Sequence, residues 1–169
     1  MEPIFFSSTF IIFGKILLAV VLGVLLGTER SVFANKRAGM RTYALVSLAA
    51  CLFAVISVQV TSQYLGLVTF DPMRVAAGII TGIGFLGTGL IIFHDNKLQG
   101  LTTAAGLWVA AGIGLAVAYE LYAVAIFTTI ITVLIFSLLW NLEEWFGRIA
   151  DTHRRVRLER EQQKGEPRV

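Results

Sequence analysis

The sequence predicts an all-α integral membrane protein with five transmembrane helices, its N-terminus outside and its C-terminus in the cytoplasm. Hydrophobic residues make up 56% of the chain and charged residues only 15%, whereas soluble domains carry about 25% charged residues. Five apolar runs are each long enough to cross a hydrocarbon core of roughly 30 Å. The basic residues are concentrated in alternate connections between these runs, which indicates a fixed orientation.

The predicted spans cover residues 8–27, 42–60, 75–93, 101–119 and 121–141. The first span has no basic start and no small-residue cleavage site, so we expect a retained helix rather than a signal peptide. The last two spans come from one apolar stretch, Leu101 to Asn141, that is interrupted by Glu120. As a single helix this stretch would be about 60 Å long, so it must turn near Tyr119, Glu120 and Leu121.

The basic side chains set the predicted orientation. A five-span arrangement leaves only Arg74 on the outer side and places Lys15 inside span one. The side predicted to be cytoplasmic carries Arg30, Lys36, Arg37, Arg41, Lys97, Arg148, Arg154, Arg155, Arg157, Arg160, Lys164 and Arg168. Residues 142–169 form a basic juxtamembrane tail whose expected partner is anionic lipid, not nucleic acid.

Glycines recur along several predicted spans. In lipid, helices associate through close packing of small residues, so these glycines predict that span three lies against spans one and four, and favour a homodimer. A sharper alternative is that span three breaks and turns its carbonyls toward a cavity or an ion. The predicted packing positions are Gly23, Gly27, Gly78, Gly82, Gly84, Gly87, Gly89, Gly106 and Gly114.

The stretch TGIGFLG contains a G-x-G-x-x-G pattern, which is found in dinucleotide-binding folds. That pattern needs a preceding strand and an acidic residue about 20 residues further on. Here it lies inside an apolar run and no acid stands at that spacing. We therefore predict no cofactor, and the single cysteine, Cys51, excludes an internal disulfide.

Polar residues lie near the ends of the predicted spans. Glu29 and Arg30 close span one while Arg41 and Thr42 open span two, so they are close enough to pair, although composition alone favours arginines that snorkel to headgroups. Thr102 and Thr103 at the start of span four predict either a helix cap or an anion site. Asp71 and Pro72 predict the start of span three, and Lys15 is predicted either to snorkel or to line a helix interface.

Four motifs in order resemble the MgtC/SapB family of bacterial inner-membrane proteins: GTER, AGMRTYALVSL, RVAAGIITGIGFLGTGLI and GLTTAAGLWVAAGIGLA. The resemblance implies a five-span protein linked to growth at low magnesium, and in some bacteria to virulence. Within the family, the chain resembles the short, SapB-like type, for which no soluble C-terminal domain is expected. The turn at Ala118-Tyr119-Glu120 and the presence of Lys15 depart from the family pattern.

The resemblance also implies a functional pocket between spans one to four. Its central expectation is that Glu29, Arg41 and Thr102 face one another. The residues carried over into this pocket are Glu29, Arg30, Arg41, Thr42, Arg74, Thr102, Thr103 and Trp108.

Three functions remain open from the sequence. The favoured one is a non-catalytic regulator supporting magnesium homeostasis. The alternative is a transporter or channel for a small ion that uses the pocket between spans 1, 2, 3 and 4. An intramembrane enzyme is disfavoured because no catalytic constellation stands in the spans, and the metal content is open.

Overall fold

The computed structural model describes residues 3–32, 39–64, 71–94 and 97–138. These residues form α1 (Pro3–Val32), α2 (Met40–Gln63), α3 (Pro72–Leu90), β1 (Ile92–His94), β2 (Lys97–Gln99), α4 (Leu101–Ala118) and α5 (Tyr122–Leu138). The chain divides into two units, Met1–Val133 and Leu134–Val169, and all the packing below lies within the first. The predicted basic tail 142–169 and the end of span five lie outside the described residues.

Four of the described helices are long and apolar enough to cross a membrane. They contain the segments Thr9–Ser31, Met40–Ser62, Met73–Leu90 and Leu101–Ala118, and α5 is a shorter apolar helix. A chain whose long segments are apolar helices can satisfy its backbone hydrogen bonds within the bilayer. The predicted all-α membrane architecture is therefore confirmed at this level.

The connection between α3 and α4 is a short antiparallel hairpin. Ile92 pairs with Gln99 and Phe93 with Leu98, so the predicted third span, drawn to Phe93, runs past the end of its helix. The reason is local, because β-branched and aromatic residues after Leu90 favour extended backbone. Gly100 closes the hairpin at φ 92°, where a Cβ would collide with the Leu90 carbonyl.

The starts of α3 and α4 differ in how they are capped. Asp71 accepts a hydrogen bond from the Met73 N–H at 2.8 Å, and Pro72 follows it in the first turn, as the sequence predicts. Helix α4 begins at Leu101 with Gly100 as its N-cap, and no side chain caps it. The predicted cap by Thr102 or Thr103 is therefore wrong, because both threonines already lie inside the helix.

Helices α2 and α4 are the centre of the first unit. Helix α1 packs on both of them, and so does α3. Of the residues in the most apolar window of each helix, 56% are buried inside the protein in α4 and 39% in α2, but only 28% in α1 and 17% in α3. The buried polar side chains of α1, α2 and α4 therefore have protein rather than lipid around them.

Three glycines mark the closest helix contacts. A Cβ on Gly23 would lie 2.8 Å from the Tyr43 carbonyl oxygen, and one on Gly27 would lie 2.5 Å from the Cα of Met40. A Cβ on Gly114 would collide with the Ser47 carbonyl. Backbone meets backbone at these points, which is how helices associate in lipid. Gly114, one of the predicted packing positions, thus makes its contact inside the chain, and the homodimer stays a prediction.

The glycines of α3 behave differently from the prediction. A Cβ added at Gly78, Gly82, Gly84 or Gly89 would meet nothing within 4 Å, and Gly87 alone among the α3 glycines faces a neighbour, the Ala104 methyl group. Helix α3 lies beside α4 and α2, so the prediction that its glycines pack it against spans one and four is wrong for these four positions. The helix is continuous from Pro72 to Leu90, which also removes the broken-span alternative.

Lys15 links α1 to the turn after α4. Its Nζ donates to the Ala118 carbonyl at 3.3 Å and contacts Glu120 Oε1 at 2.9 Å. The lysine therefore lines a helix interface, one of its two predicted roles. Glu120 has φ 65°, a left-handed conformation that is uncommon for a residue with a side chain. The lysine thus holds a helix end and a strained turn together.

Gly114→Ala is expected to lower stability while Gly112→Ala does not. At Gly114 the added methyl group would overpack the contact with Ser47, which costs roughly 1–3 kcal/mol. At Gly112 the methyl group would enter open space, and the change to alanine would add about 1 kcal/mol of helix propensity. Thermal unfolding of the purified variants in detergent, followed by circular dichroism, measures both. Equal midpoints for the two variants would contradict the close contact with Ser47.

The Lys15–Glu120 contact predicts a pH dependence. The hydrogen bond and the charge of Lys15 lower the pKa of Glu120 below its ordinary value. Its contribution to stability is therefore present above that ordinary value and is lost as the pH falls through the lowered pKa. Carboxyl ¹³C titration of Glu120 by NMR should show the low pKa, and Lys15→Met should raise it. An unchanged pKa in Lys15→Met would contradict the contact.

Candidate functional site

Two charged side chains near the end of α1 are buried. Glu29 and Arg30 are each 4% exposed, although they follow an apolar run that predicted a span ending at Gly27. The helix instead continues to Val32, so both residues lie inside it. Because charged groups are rarely buried without a partner, this is the most unusual polar feature in the described part of the chain.

Glu29 and Arg30 form an ion pair. Arg30 Nε lies 3.7 Å from Glu29 Oε2, a distance that allows attraction between the charges but no hydrogen bond. The Glu29 Oε2 atom accepts no hydrogen bond from the described residues. The pair is electrically neutral as a unit, so its burial costs less free energy than that of either charge alone.

Tyr43 joins this pair to two further helices. Its side chain is fully buried, and its hydroxyl donates to the Thr103 carbonyl oxygen at 3.1 Å. The Arg30 guanidinium lies within hydrogen-bonding reach of the same hydroxyl. Tyr43 therefore connects the end of α1 to the first turn of α4 across the start of α2. We call Glu29, Arg30, Tyr43 and Thr103 the polar cluster.

The helix contacts explain why the polar cluster is closed. Gly27 touches α2 at Met40, and Gly23 touches it at Tyr43 and Ala44. Both glycines lie within two turns of Glu29 on α1. Arg30 lies three residues after Gly27 and seven after Gly23, so it shares their face of α1 and is covered by α2. Glu29 lies on a different face of α1, which also packs on α4.

Arg41 and Thr42 do not belong to the polar cluster. Arg41 is exposed and Thr42 is half-buried, and both line a groove between α2 and α3. The reason is helical geometry, because residues two apart on a helix lie roughly 200° apart around its axis. With Tyr43 turned toward Arg30, Arg41 must face elsewhere.

Thr102, Arg74 and Trp108 have exposed side chains. Thr102 is exposed while its neighbour Thr103 is buried. Arg74 is exposed near the start of α3, whereas the end of that helix meets Gly100 at the start of α4. Trp108 is 52% exposed and lines a separate groove with Ile80 and Val124. No hydrogen bond or ion pair joins Glu29, Arg41 and Thr102 among the described residues. The expected pocket therefore stays a prediction, and the contacts that the structure does show are those of the polar cluster.

Tyr43 was not among the site residues predicted from the sequence. The available signal was its position, one residue after Thr42 inside an otherwise apolar span, since a tyrosine hydroxyl within a membrane protein needs a partner. Ser47, one turn further along α2, is also fully buried, and its hydroxyl has no partner among the described residues.

The polar cluster contains one carboxylate balanced by one guanidinium. Among the described residues, no three of His, Cys, Asp and Glu come together in a way that could hold a metal ion. What the described arrangement does is fix the relative positions of three helices through charge and hydrogen bonds. A shift of any one of these helices would therefore displace the cluster side chains that contact the other two.

Comparison with known proteins gives a family match. The sequence model of the MgtC family matches residues 16–145 of this chain, a range that includes α2, α3, α4 and α5 and most of α1. No solved structure matches the chain.

Several curated proteins are similar to the chain. An uncharacterized protein of Haemophilus influenzae is 36% identical over 158 residues, covering 91% of this chain and 66% of that protein. A protein of Escherichia coli K12 described as putative magnesium transporter YhiD is 35% identical over 138 residues, with 80% and 63% covered. Protein MgtC of Salmonella typhimurium is 39% identical over 117 residues, with 69% and 47% covered. The chain thus spans two thirds or less of the length of these relatives.

Glu29→Gln is expected to destabilise the protein strongly. It leaves the Arg30 charge buried without its counter-ion, which costs roughly 3–5 kcal/mol. The double variant Glu29→Gln, Arg30→Gln should recover part of this loss because no charge remains. Arg74→Gln, at an exposed position, is the control and should change stability by no more than about 0.5 kcal/mol. The midpoints of thermal unfolding in detergent give the stability of each variant. A double variant less stable than Glu29→Gln would contradict the pairing of Glu29 with Arg30.

Proposed function

The chain belongs to the MgtC family, and from that premise we propose that it is a non-catalytic regulator in the bacterial inner membrane that supports magnesium homeostasis. We infer that its N-terminus lies outside and its C-terminus in the cytoplasm. The orientation is supported by the concentration of Lys and Arg in alternate connections. The link to magnesium is supported by the relative named as a putative magnesium transporter.

The polar cluster is the observation that carries the regulator proposal. Its single carboxylate, Glu29, is already balanced by Arg30 at 3.7 Å, so its attraction for a second cation is weakened. Its hydrogen bond between Tyr43 and Thr103 connects α2 to α4. Such a cluster is suited to setting the positions of helices, and a regulator acts by presenting one arrangement of its surface rather than another.

A second candidate function is transport of magnesium. The observation that favours it is Glu29 Oε2, a buried carboxylate oxygen that accepts no hydrogen bond from the described residues. Magnesium prefers hard oxygen ligands, usually one or two carboxylates with retained waters. In this reading Arg30 would have to move away from Glu29 as the ion arrives.

Flux and growth measurements separate the two functions. We expect purified protein in liposomes to take up no more Mg²⁺ than empty vesicles, because Glu29 is charge-balanced. We also expect a gene deletion to impair growth at low magnesium and the intact gene to restore it. A C-terminal green fluorescent protein fusion reports expression in the same cells, and its fluorescence requires a cytoplasmic C-terminus.

The controls are variants of the polar cluster and of an exposed position. Tyr43→Phe should fail to restore growth at normal expression, whereas Arg74→Gln should restore it. Mg²⁺ uptake by the wild type well above empty vesicles would overturn the regulator in favour of the transporter, and its loss in a Glu29→Gln variant that circular dichroism shows to be folded would assign the uptake to Glu29. A green fluorescent protein fusion that restores growth but does not fluoresce would overturn the proposed cytoplasmic location of the C-terminus.

A further inference from the structure

A groove of about 780 Å³ runs between α2 and α3. Of its lining residues, Arg41 and Thr42 are polar and stand together at one end, and all the others are apolar. Along α2 the groove extends from Arg41 to Phe53, which corresponds to about 18 Å of helix. That length is close to one leaflet of a hydrocarbon core of about 30 Å. The groove thus has a charged end and an apolar body one leaflet long.

We propose that this groove binds one anionic phospholipid, with its phosphate on Arg41 and Thr42 and acyl chain alongside Gly78 and Gly82. Arg41 is exposed, and it forms no ion pair or hydrogen bond with the residues that the structure describes. A guanidinium matches a phosphate with two parallel hydrogen bonds. No acidic residue lines the groove, so a lipid with net negative charge is favoured over a zwitterionic one.

The glycines of α3 leave room for the acyl chain. A Cβ at Gly78 or Gly82 meets nothing within 4 Å, so each glycine adds width to the groove instead of filling a contact. Within a bilayer, apolar space that is open to the hydrocarbon core is filled by lipid chains. Two glycines one turn apart on the groove wall therefore produce a smooth channel for a chain lying along the helix.

The charged end of the groove favours a lipid over a helix from a second copy. Arg41 stands at the end of an apolar groove that no acidic residue lines, so an occupant with an anionic head and an apolar chain matches the groove along its whole length. An apolar helix face would fill the body of the groove but would offer the Arg41 guanidinium no counter-charge.

Native mass spectrometry of the purified full chain tests the proposal with two probes, phosphatidylglycerol and phosphatidylcholine of the same acyl length. We expect the wild type to retain one phosphatidylglycerol more strongly than phosphatidylcholine. Arg41→Gln should weaken phosphatidylglycerol binding about tenfold, the loss expected for one charge-assisted contact, and should remove the preference. Arg74→Gln, also exposed but on α3 near its start, is the charge control and should change nothing.

Filling the groove gives a second, independent variant. Gly82→Leu places a side chain in the open space and should reduce the retention of both lipids at least tenfold. Gly84→Leu is the matched control, since it is on the same helix, faces open space and does not line the groove. Circular dichroism checks that both variants fold, and Arg41→Gln tests the site without altering packing.

Several results would overturn the lipid site. One is unchanged phosphatidylglycerol retention in both Arg41→Gln and Gly82→Leu. Another is an equal loss in Gly82→Leu and Gly84→Leu, which would indicate a general effect of a larger side chain. A third is a change in the dimer fraction of Gly82→Leu with lipid retention intact, which would assign the groove to a second copy of the chain. None of these readouts depends on magnesium, so they are independent of the proposed function.

Discussion

Helices in a bilayer gain almost nothing by burying apolar side chains against one another, because lipid tails are just as apolar. Contact between them must come from close packing, and close packing requires narrow side chains. In this protein the requirement is met at Gly23 and Gly27 of α1 and at Gly114 of α4, where backbone approaches backbone. The position of α2 between these helices follows from those three contacts.

The polar cluster depends on that close packing. Arg30 is buried because α2 approaches its face of α1 without an intervening side chain, and Tyr43 reaches Thr103 because α2 and α4 are neighbours. In turn, the Tyr43–Thr103 hydrogen bond and the Glu29–Arg30 ion pair require specific orientations of the helices, which steric packing alone does not. Packing and polarity therefore specify the same arrangement of α1, α2 and α4. About four turns before Glu29 on α1, Lys15 makes a comparable link to the turn at Glu120.

The sequence predicts the helices better than it predicts their faces. Apolar length places all five predicted segments. Over the described residues four of them are helices long enough to cross a membrane and the fifth, α5, is shorter, while Asp71 with Pro72 marks the start of α3. Composition cannot tell which glycines meet a neighbour, so Gly82 looked equivalent to Gly114 although only the latter is in contact. Arg41 was grouped with Glu29 because both lie near span ends, but the helical turn between Arg41 and Tyr43 places the tyrosine, not the arginine, against Arg30. Such choices depend on the rotation of each helix, which tertiary contacts decide.

The most direct test of the account is a solid-state NMR distance measurement on the protein in lipid bilayers. Tyrosine is labelled at its ring Cζ and threonine at its carbonyl carbon, and Thr103→Val assigns the signal because it removes one label while keeping the carbonyl. The account predicts clear transfer between Tyr43 and Thr103, whose oxygen atoms lie 3.1 Å apart. Absence of that transfer, under conditions that detect carbons one helical turn or about 5.4 Å apart, would contradict the polar cluster and the helix arrangement built on it.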